Sequence, residues 1–136
     1  MKMYKIPASL RYFGKFHWYL RDINAKYSEE RKIIADIRSG LISRDMLEEG
    51  WQEKLTQEIE LLRDRLRRIE RTIEEIPESR EMMPCKIFLR LHFVTGLSLT
   101  ETAENMNVSE TTLRRIRERT AKYFEKFPPE DDKTPQ

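Results

Sequence analysis

Apolar side chains recur every seven residues along the N-terminal part of the chain. Two such sets, three positions apart, are Phe13, Leu20, Tyr27 and Ile34, and Phe16, Ile23 and Ile37. Residues with this spacing share one face of an α-helix, so the pattern predicts a helix from about Ser9 to Arg38. We expect the helix to end at Ser39-Gly40, because glycine readily adopts the left-handed conformation of a helix C-terminus.

A second amphipathic pattern alternates steps of four and three residues without interruption. Its apolar positions are Leu55, Ile59, Leu62, Leu66, Ile69, Ile73 and Ile76. We expect this helix to follow a short loop, with Ser43 as its N-cap. It should end at Ile76, because a residue that precedes proline avoids the helical conformation.

The two helices can be arranged in two ways. They can fold back as an antiparallel hairpin within one chain, which a short loop favours. Alternatively, the second helix can pair in parallel with its copy, with Glu58 facing Arg63 and Arg65 facing Glu70 across the dimer. We expect both, with hairpins associating into a homo-oligomer. Trp18 lies off the apolar face and is either partly covered by its neighbours or part of an interface.

The second half of the chain contains local signals for helix ends. Residues 77–84 are predicted to be a linker, and residues 85–95 are a compact apolar helix candidate closed by Gly96. Ser98 and Glu101 then form the pattern of a capping box, in which each side chain bonds the other's backbone amide. A short helix to about residue 105 is therefore expected to follow.

A tight turn and a last helix complete the pattern. Asn107 stands where the chain would become left-handed, which asparagine tolerates better than most residues. Ser109 is the expected N-cap of a helix that extends to about residue 127, and Ala103 is small enough to let the two helices cross closely. The predicted apolar stripe of the last helix is Leu113, Ile116, Thr120, Phe124 and Phe127. A short helix, a turn and a longer helix together predict a helix-turn-helix.

This last helix carries a local excess of positive charge. Residues 114–126 carry six basic and two acidic side chains, although the whole chain has a net charge of only +2. Opposite the apolar stripe, or beside it, lie Thr111, Thr112, Arg114, Arg115, Glu118, Arg119, Lys122 and Lys126. Arginine is suited to contacts with guanine and phosphate. The alternative is a solvated face with pairs such as Glu110–Arg114. Arg117 is expected nearer the buried side.

The stretch GLSLTETAENMNVSETTLRRIRERTAKYFEKF resembles the region 4 helix-turn-helix of sigma-70-type factors, which reads the −35 promoter element. The shared pattern lies in residues 96–98, 101–103, 106–109 and 112–113, within the last third of the chain. Asn107 replaces a usual glycine and Thr102 a usual β-branched apolar residue, and no region 2 is present. With its helical N-terminal half, the chain also resembles small phage or mobile-element transcription regulators of the ArpU/RinA type.

The resemblance implies binding of double-stranded DNA. The residues expected at the DNA are Ser109, Glu110, Thr111, Thr112, Arg114, Arg115, Arg119 and Lys122. Two further hypotheses are an adaptor that docks onto RNA polymerase or its regulators, and a subunit for DNA packaging or replication initiation. We expect neither an enzyme nor a cofactor, because no phosphate loop or catalytic constellation is present. The lone Cys85 and His92 are expected to pack in the interior.

The expected organisation is all-α. A helical hairpin or coiled coil for oligomerisation spans residues 1–76, and a linker spans 77–84. The helix-turn-helix domain spans 85–127, and a disordered acidic tail spans 128–136. The chain has no apolar run of the roughly 20 residues that a membrane span needs, and nothing in it resembles a signal peptide. We therefore expect a cytoplasmic protein.

Overall fold

The computed structural model describes residues 6–130, and every regular element within them is helical. The all-α prediction is therefore confirmed. Short 3-10 turns lie at Ala8–Leu10 and Arg44–Met46, and a π-helical turn at Arg90–Val94 extends the third helix. The predicted tail falls mostly on residues 131–136, which lie outside the described residues. The helices are α1 (Arg11–Arg38), α2 (Trp51–Glu74), α3 (Met83–Leu89), α4 (Leu99–Met106) and α5 (Glu110–Lys126).

The C-terminus of α1 is closed as the sequence predicts. Gly40 has φ +80°, in the left-handed region. The amide of Leu41 donates to the carbonyl of Asp36 at 2.9 Å, and the amide of Gly40 donates to the carbonyl of Ile37 at 3.2 Å. This pair of bonds defines a Schellman motif, which satisfies carbonyls that the helix itself leaves without partners.

The start of α2 differs from the prediction. Ser43 precedes only the 3-10 turn and makes no capping bond through its side chain. Leu47 then returns to an extended conformation, with φ −96° and ψ 148°, so the turn cannot continue into a helix. The chain turns again at Gly50, with φ +77°, and α2 begins at Trp51. The prediction of Ser43 as the N-cap was wrong, and the connection extends over residues 39–50.

The chain divides into two compact units, and the first, the hairpin unit, comprises residues 18–67. Within it, early residues of α1 meet late residues of α2. The guanidinium of Arg65 lies over the ring of Tyr19 at 5.6 Å, and the amine of Lys26 lies 2.7 Å from the carboxylate of Glu58. The order of these contacts shows that the two helices are antiparallel, so the intrachain hairpin is confirmed.

The charged residues that could serve a parallel α2 dimer face α1 instead. Glu58 pairs with Lys26, whose hydrogen bond holds the pKa of the Glu58 carboxyl below its usual range. Arg63 bonds the hydroxyl of Tyr27 and pairs with Glu60 on its own helix. These side chains are therefore used within one chain, and association of hairpins between chains stays a prediction.

The buried face of α1 is rotated slightly from the predicted stripe. Tyr19 is 7% exposed, whereas Leu20 is 37% exposed. The prediction that Leu20 faces the hairpin core was wrong, because the packed face includes Tyr19 and Ile23. Trp18 is 63% exposed, which agrees with its expected position off the apolar face.

The second unit, the terminal unit, comprises residues 6–17 and 68–130 of the described chain. Its core is rich in phenylalanine. The ring of Phe13 lies 4.9 Å from Phe124 and 6.0 Å from Phe93, measured between centroids. Apolar residues from α2, from the segment just after it and from α3 complete this core, namely Ile69, Ile73, Ile76, Cys85, Phe88 and Leu89. The N-terminal turn is fixed to α5, because the hydroxyl of Ser9 donates to the carbonyl of Ala121 at 2.8 Å.

Candidate nucleic-acid interface

The N-terminus of α4 has the predicted capping box. The hydroxyl oxygen of Ser98 accepts a bond from the amide of Glu101 at 3.1 Å, and the carboxylate of Glu101 accepts one from the amide of Ser98 at 3.0 Å. This second bond keeps the pKa of the Glu101 carboxyl below its usual range. The position at which α4 begins is thus fixed by two reciprocal bonds.

The turn after α4 is left-handed at Asn107, with φ +56° and ψ +46°. The amide of Val108 donates to the carbonyl of Ala103 at 3.0 Å, and the amide of Asn107 donates to the carbonyl of Glu104 at 3.1 Å. This is again a Schellman motif, here built on asparagine. Ala103 is buried, as expected for a close helix crossing, whereas Val108 is only half-buried.

Three bonds fix the N-terminus of α5. The hydroxyl oxygen of Ser109 accepts from the amide of Thr112 at 3.1 Å, so Ser109 is the N-cap that the sequence predicts. The same hydroxyl donates to the hydroxyl of Thr112 at 3.0 Å. The side chain of Glu110 accepts from the hydroxyl of Thr100 on α4 at 3.3 Å. The first turns of α4 and α5 are therefore joined by side chains.

One face of α5 is packed against the rest of the terminal unit as far as Phe124. Leu113, Ile116, Thr120 and Phe124 are buried, as predicted, and the hydroxyl of Thr120 donates to the carbonyl of Ile116 at 2.7 Å. The prediction for Phe127 was wrong, because its side chain is 54% exposed at the end of the helix. Cys85 packs against this face, and burial raises the pKa of its thiol, which argues against a reactive thiolate.

The opposite face of α5 is exposed and cationic. Among residues 6–130, Arg114, Arg115 and Lys122 make no ion pair with a carboxylate. The Glu110–Arg114 pair of the alternative interpretation, a solvated face, therefore does not form. Glu110 bonds Thr100 instead. The exposed side chains on this face and its flanks are Thr111, Thr112, Arg114, Arg115, Glu118, Arg119, Lys122 and Lys126. A face without internal ion pairs leaves its guanidinium groups available for an external anion.

Two arginines of α5 have internal partners. The guanidinium of Arg119 donates to the carbonyl of Glu81 at 3.0 Å, although its side chain remains exposed. Arg117 is half-buried, as expected from its position on the helix, and its charge acts on His92. These contacts separate both residues from the outermost group of Arg114, Arg115 and Lys122.

Two side chains of the terminal unit make hydrogen bonds that the sequence did not reveal. The ring N–H of His92 at Nδ1 donates to the carbonyl of Leu97 at 2.7 Å, and the ring stacks on Phe88. Burial lowers the pKa of His92. Lys86 is 1% exposed, and its amine reaches the carbonyl of Glu74 and the carboxylate of Glu78. The only indication in the sequence of a buried, hydrogen-bonded lysine is that Lys86 lies within the apolar stretch CKIFL.

Comparison with protein-family models, curated proteins and solved structures finds no match to this chain. Residues 6–130 hold no cluster of three or more histidine, cysteine or acidic side chains arranged to bind a metal ion. Within the same residues, each helix is either too short or too polar to cross a membrane.

Proposed function

We propose that the chain binds double-stranded DNA sequence-specifically and regulates transcription, with α5 in the major groove. The observation that carries this proposal is the division of α5 into a face that is packed as far as Phe124 and an exposed face on which Arg114 and Arg115 have no carboxylate partner among residues 6–130. An α-helix fits the major groove, which is about 12 Å wide. The resemblance of residues 96–127 to sigma-70 region 4 also supports binding of α5 in the major groove.

In this proposal the exposed side chains divide by position. Thr111, Thr112, Arg114 and Arg115 lie in the first half of α5 and approach base edges, as in other helix-turn-helix proteins, where the N-terminal residues of the second helix contact bases. Lys122 and Arg119 lie further along and reach phosphates. The Ser109 cap and the first amides of α5 approach the backbone, because helix N-termini favour anions.

The acidic side chains of this face favour sequence-specific over purely electrostatic binding. Glu110 and Glu118 share the exposed side of α5 with the arginines. A surface that binds only phosphate gains nothing from carboxylates, because they repel the DNA backbone. A carboxylate can instead accept a bond from the amino group of cytosine. The mixed charge therefore supports base reading.

The proposal extends to assembly and context. The hairpins associate between chains and set the spacing of DNA half-sites, because dimeric helix-turn-helix proteins bind two half-sites about one helical turn apart. RNA polymerase is a further candidate partner. In this proposal the chain is encoded by a phage or mobile element, acts in the cytoplasm and needs no cofactor. A solution mass of one chain at micromolar concentration would contradict the association.

The experiment is selection of bound duplexes from a random pool at near-physiological salt. We expect enrichment of one motif, and its symmetry would report how many chains bind. Enrichment is expected to persist when salt rises moderately, because base contacts depend less on salt than phosphate contacts do. Recovery of unrelated sequences after repeated rounds would overturn the proposal.

A further inference from the structure

An apolar groove lies beside α5, between the first turns of α3 and the C-terminal end of α4. It encloses about 570 Å³, a size comparable with sites that accept small ligands or a few side chains. The residues that line it are Pro84, Ile87, Asn105, Met106, Val108, Thr112, Arg115, Ile116 and Arg119. Five of these are apolar, and they come from three different helices and the turn after α4, so the groove is a feature of the packed unit.

Part of the apolar floor is open to solvent. Ile87 is 38% exposed, and Met83, one turn earlier on α3, is 36% exposed. Met106 and Val108 are half-buried on the other side of the groove. Exposed apolar side chains that line one groove mark interaction sites more often than isolated exposed side chains do.

The rim of the groove is cationic. Arg115 and Arg119 line it, and none of the lining residues is acidic. The bond from Arg119 to the carbonyl of Glu81 holds its guanidinium in place without neutralising its charge. Arg115 has no carboxylate partner among the described residues. An occupant of the groove would therefore meet two uncompensated positive charges beside an apolar floor.

We propose that this groove binds an acidic amphipathic helix of a partner protein. Apolar side chains of that helix enter between Ile87 and Met106, and its carboxylates pair with Arg115 and Arg119. Helices that dock into grooves present apolar anchors at positions i, i+3 or i+4, and i+7, which suits the apolar lining of this groove. Charge complementarity at the rim selects an acidic helix over a basic one. This inference concerns a second partner and does not rest on DNA binding by α5. Because Arg115 and Arg119 also belong to the proposed DNA interface, the partner helix and DNA compete for the chain.

The test uses the whole chain and three synthetic amphipathic peptides of about 16 residues, a length that presents all of these anchors. The peptides share leucine anchors and carry glutamate, glutamine or lysine at the flanking positions. We expect the glutamate peptide to bind about fivefold more tightly than the glutamine peptide, since two exposed pairs contribute modestly, and the lysine peptide to bind most weakly. Fluorescence anisotropy measures the affinities, and methyl NMR shifts at Ile87 and Met106 locate the site.

A matched pair of variants distinguishes peptide binding in the groove from non-specific hydrophobic binding elsewhere on the chain. Ile87→Gln removes part of the floor without changing charge and should weaken the glutamate peptide about tenfold, in the range found for truncating an interface anchor. Leu61→Gln makes the same kind of change at a side chain of the hairpin unit that is 53% exposed, and it should have no effect. Equal affinity for the three peptides, shifts away from the groove, or equal loss in both variants would overturn the inference.

The DNA-binding activity of the same variant separates this inference from the proposed function. Binding of the Ile87→Gln variant to the selected DNA should match that of the unaltered chain. Peptide binding without any selected DNA motif would overturn only the proposed function.

Discussion

The amine of Lys86 lies 3.0 Å from the carbonyl oxygen of Glu74, so a buried lysine of α3 caps the C-terminus of α2. The same amine lies 3.1 Å from the carboxylate of Glu78. The Glu74 carboxylate is held by Arg90, whose hydrogen bond lowers its pKa. Positive charge near a helix C-terminus is favourable, because the last carbonyls carry partial negative charge. This contact fixes the start of α3, against which α5 packs.

Lys86→Met should change the free energy of unfolding by less than about 1 kcal/mol. Methionine keeps most of the buried stem, and removal of the ammonium also removes its desolvation cost. Both carboxylates are mostly exposed, at 57% and 67%, so they are rehydrated when the lysine is lost. Lys86→Ala should cost about 2–4 kcal/mol, because it leaves a cavity. Urea unfolding of both variants measures the difference. Equal destabilisation by both would show that the charge, and not the stem, carries the contact.

Asn107 provides a second stability prediction, because its left-handed backbone excludes most side chains. Asn107→Ala should lower the free energy of unfolding by about 1 kcal/mol, the cost of the left-handed conformation for a residue without asparagine's local bonds. Asn107→Gly should be neutral or slightly stabilising, since glycine has no Cβ to clash. Asn105→Ala, two residues earlier on α4, serves as the control for loss of an amide. A larger loss for glycine than for alanine at position 107 would contradict this account.

The features predicted correctly from the sequence are those set by neighbouring residues. The Ser98 capping box, the Asn107 turn and the Ser109 cap each depend on side chains within a few positions. These features can therefore be predicted from helix propensity and from hydrogen bonds between residues close in sequence. The all-α class and the buried face of α5 follow in the same way from the spacing of apolar residues.

The features that the sequence did not reveal depend on distant partners. Tyr19 is buried in place of Leu20, which depends on the rotation of α1 and not on spacing alone. Phe127 is exposed because no element within residues 6–130 covers its side chain at the end of α5. The contact of Lys86 requires the C-terminus of α2 to lie beside α3, and the apolar groove requires three helices to meet. The pattern of residues within one helix does not predict which other helices will contact it.

Stability should depend on pH through His92. Burial lowers its pKa in the folded protein below the usual 6.5, and the charge of Arg117 acts in the same direction. In the unfolded chain the ring therefore binds a proton at a higher pH than it does in the folded state. The stability that the neutral, partly buried ring contributes is fully present above about pH 6.5. It is lost as pH falls through the pKa of His92 in the folded protein. We expect the melting temperature to fall as pH drops below this value.

His92→Asn isolates that contribution. Asparagine can keep a donor towards the carbonyl of Leu97 but does not titrate, so the pH dependence between about 6.5 and the folded pKa should become shallower. The lowered pKa values of Glu58, Glu74 and Glu101 act in a more acidic range, below their usual 4.5, and remain in both proteins. Thermal melts in matched buffers from neutral to mildly acidic pH measure the slopes. Identical slopes for the two proteins would show that His92 does not contribute.

The proposed DNA interface makes different predictions for Arg115 and Lys122. Arg115→Ala should cost about 1–3 kcal/mol of affinity for the selected site and relax preference at one base position, because a base contact is lost. Lys122→Ala should weaken binding to all duplexes similarly and reduce the slope of log affinity against log salt by about one, because a phosphate contact is lost. Titrations at several salt concentrations, with selected and scrambled duplexes, distinguish the two.

Arg21→Ala is the matched control, since this arginine is also exposed but lies in the hairpin unit. Arg21→Ala removes one positive charge without changing α5. Sequence preference should therefore stay the same, and the affinity for the selected site should fall only as far as the loss of one positive charge from the whole chain accounts for. If Arg115→Ala behaves like Arg21→Ala, α5 does not read bases at that position. If it behaves like Lys122→Ala, with an equal loss on every duplex, Arg115 contacts only phosphate and base reading must rest on Thr111, Thr112 or Arg114.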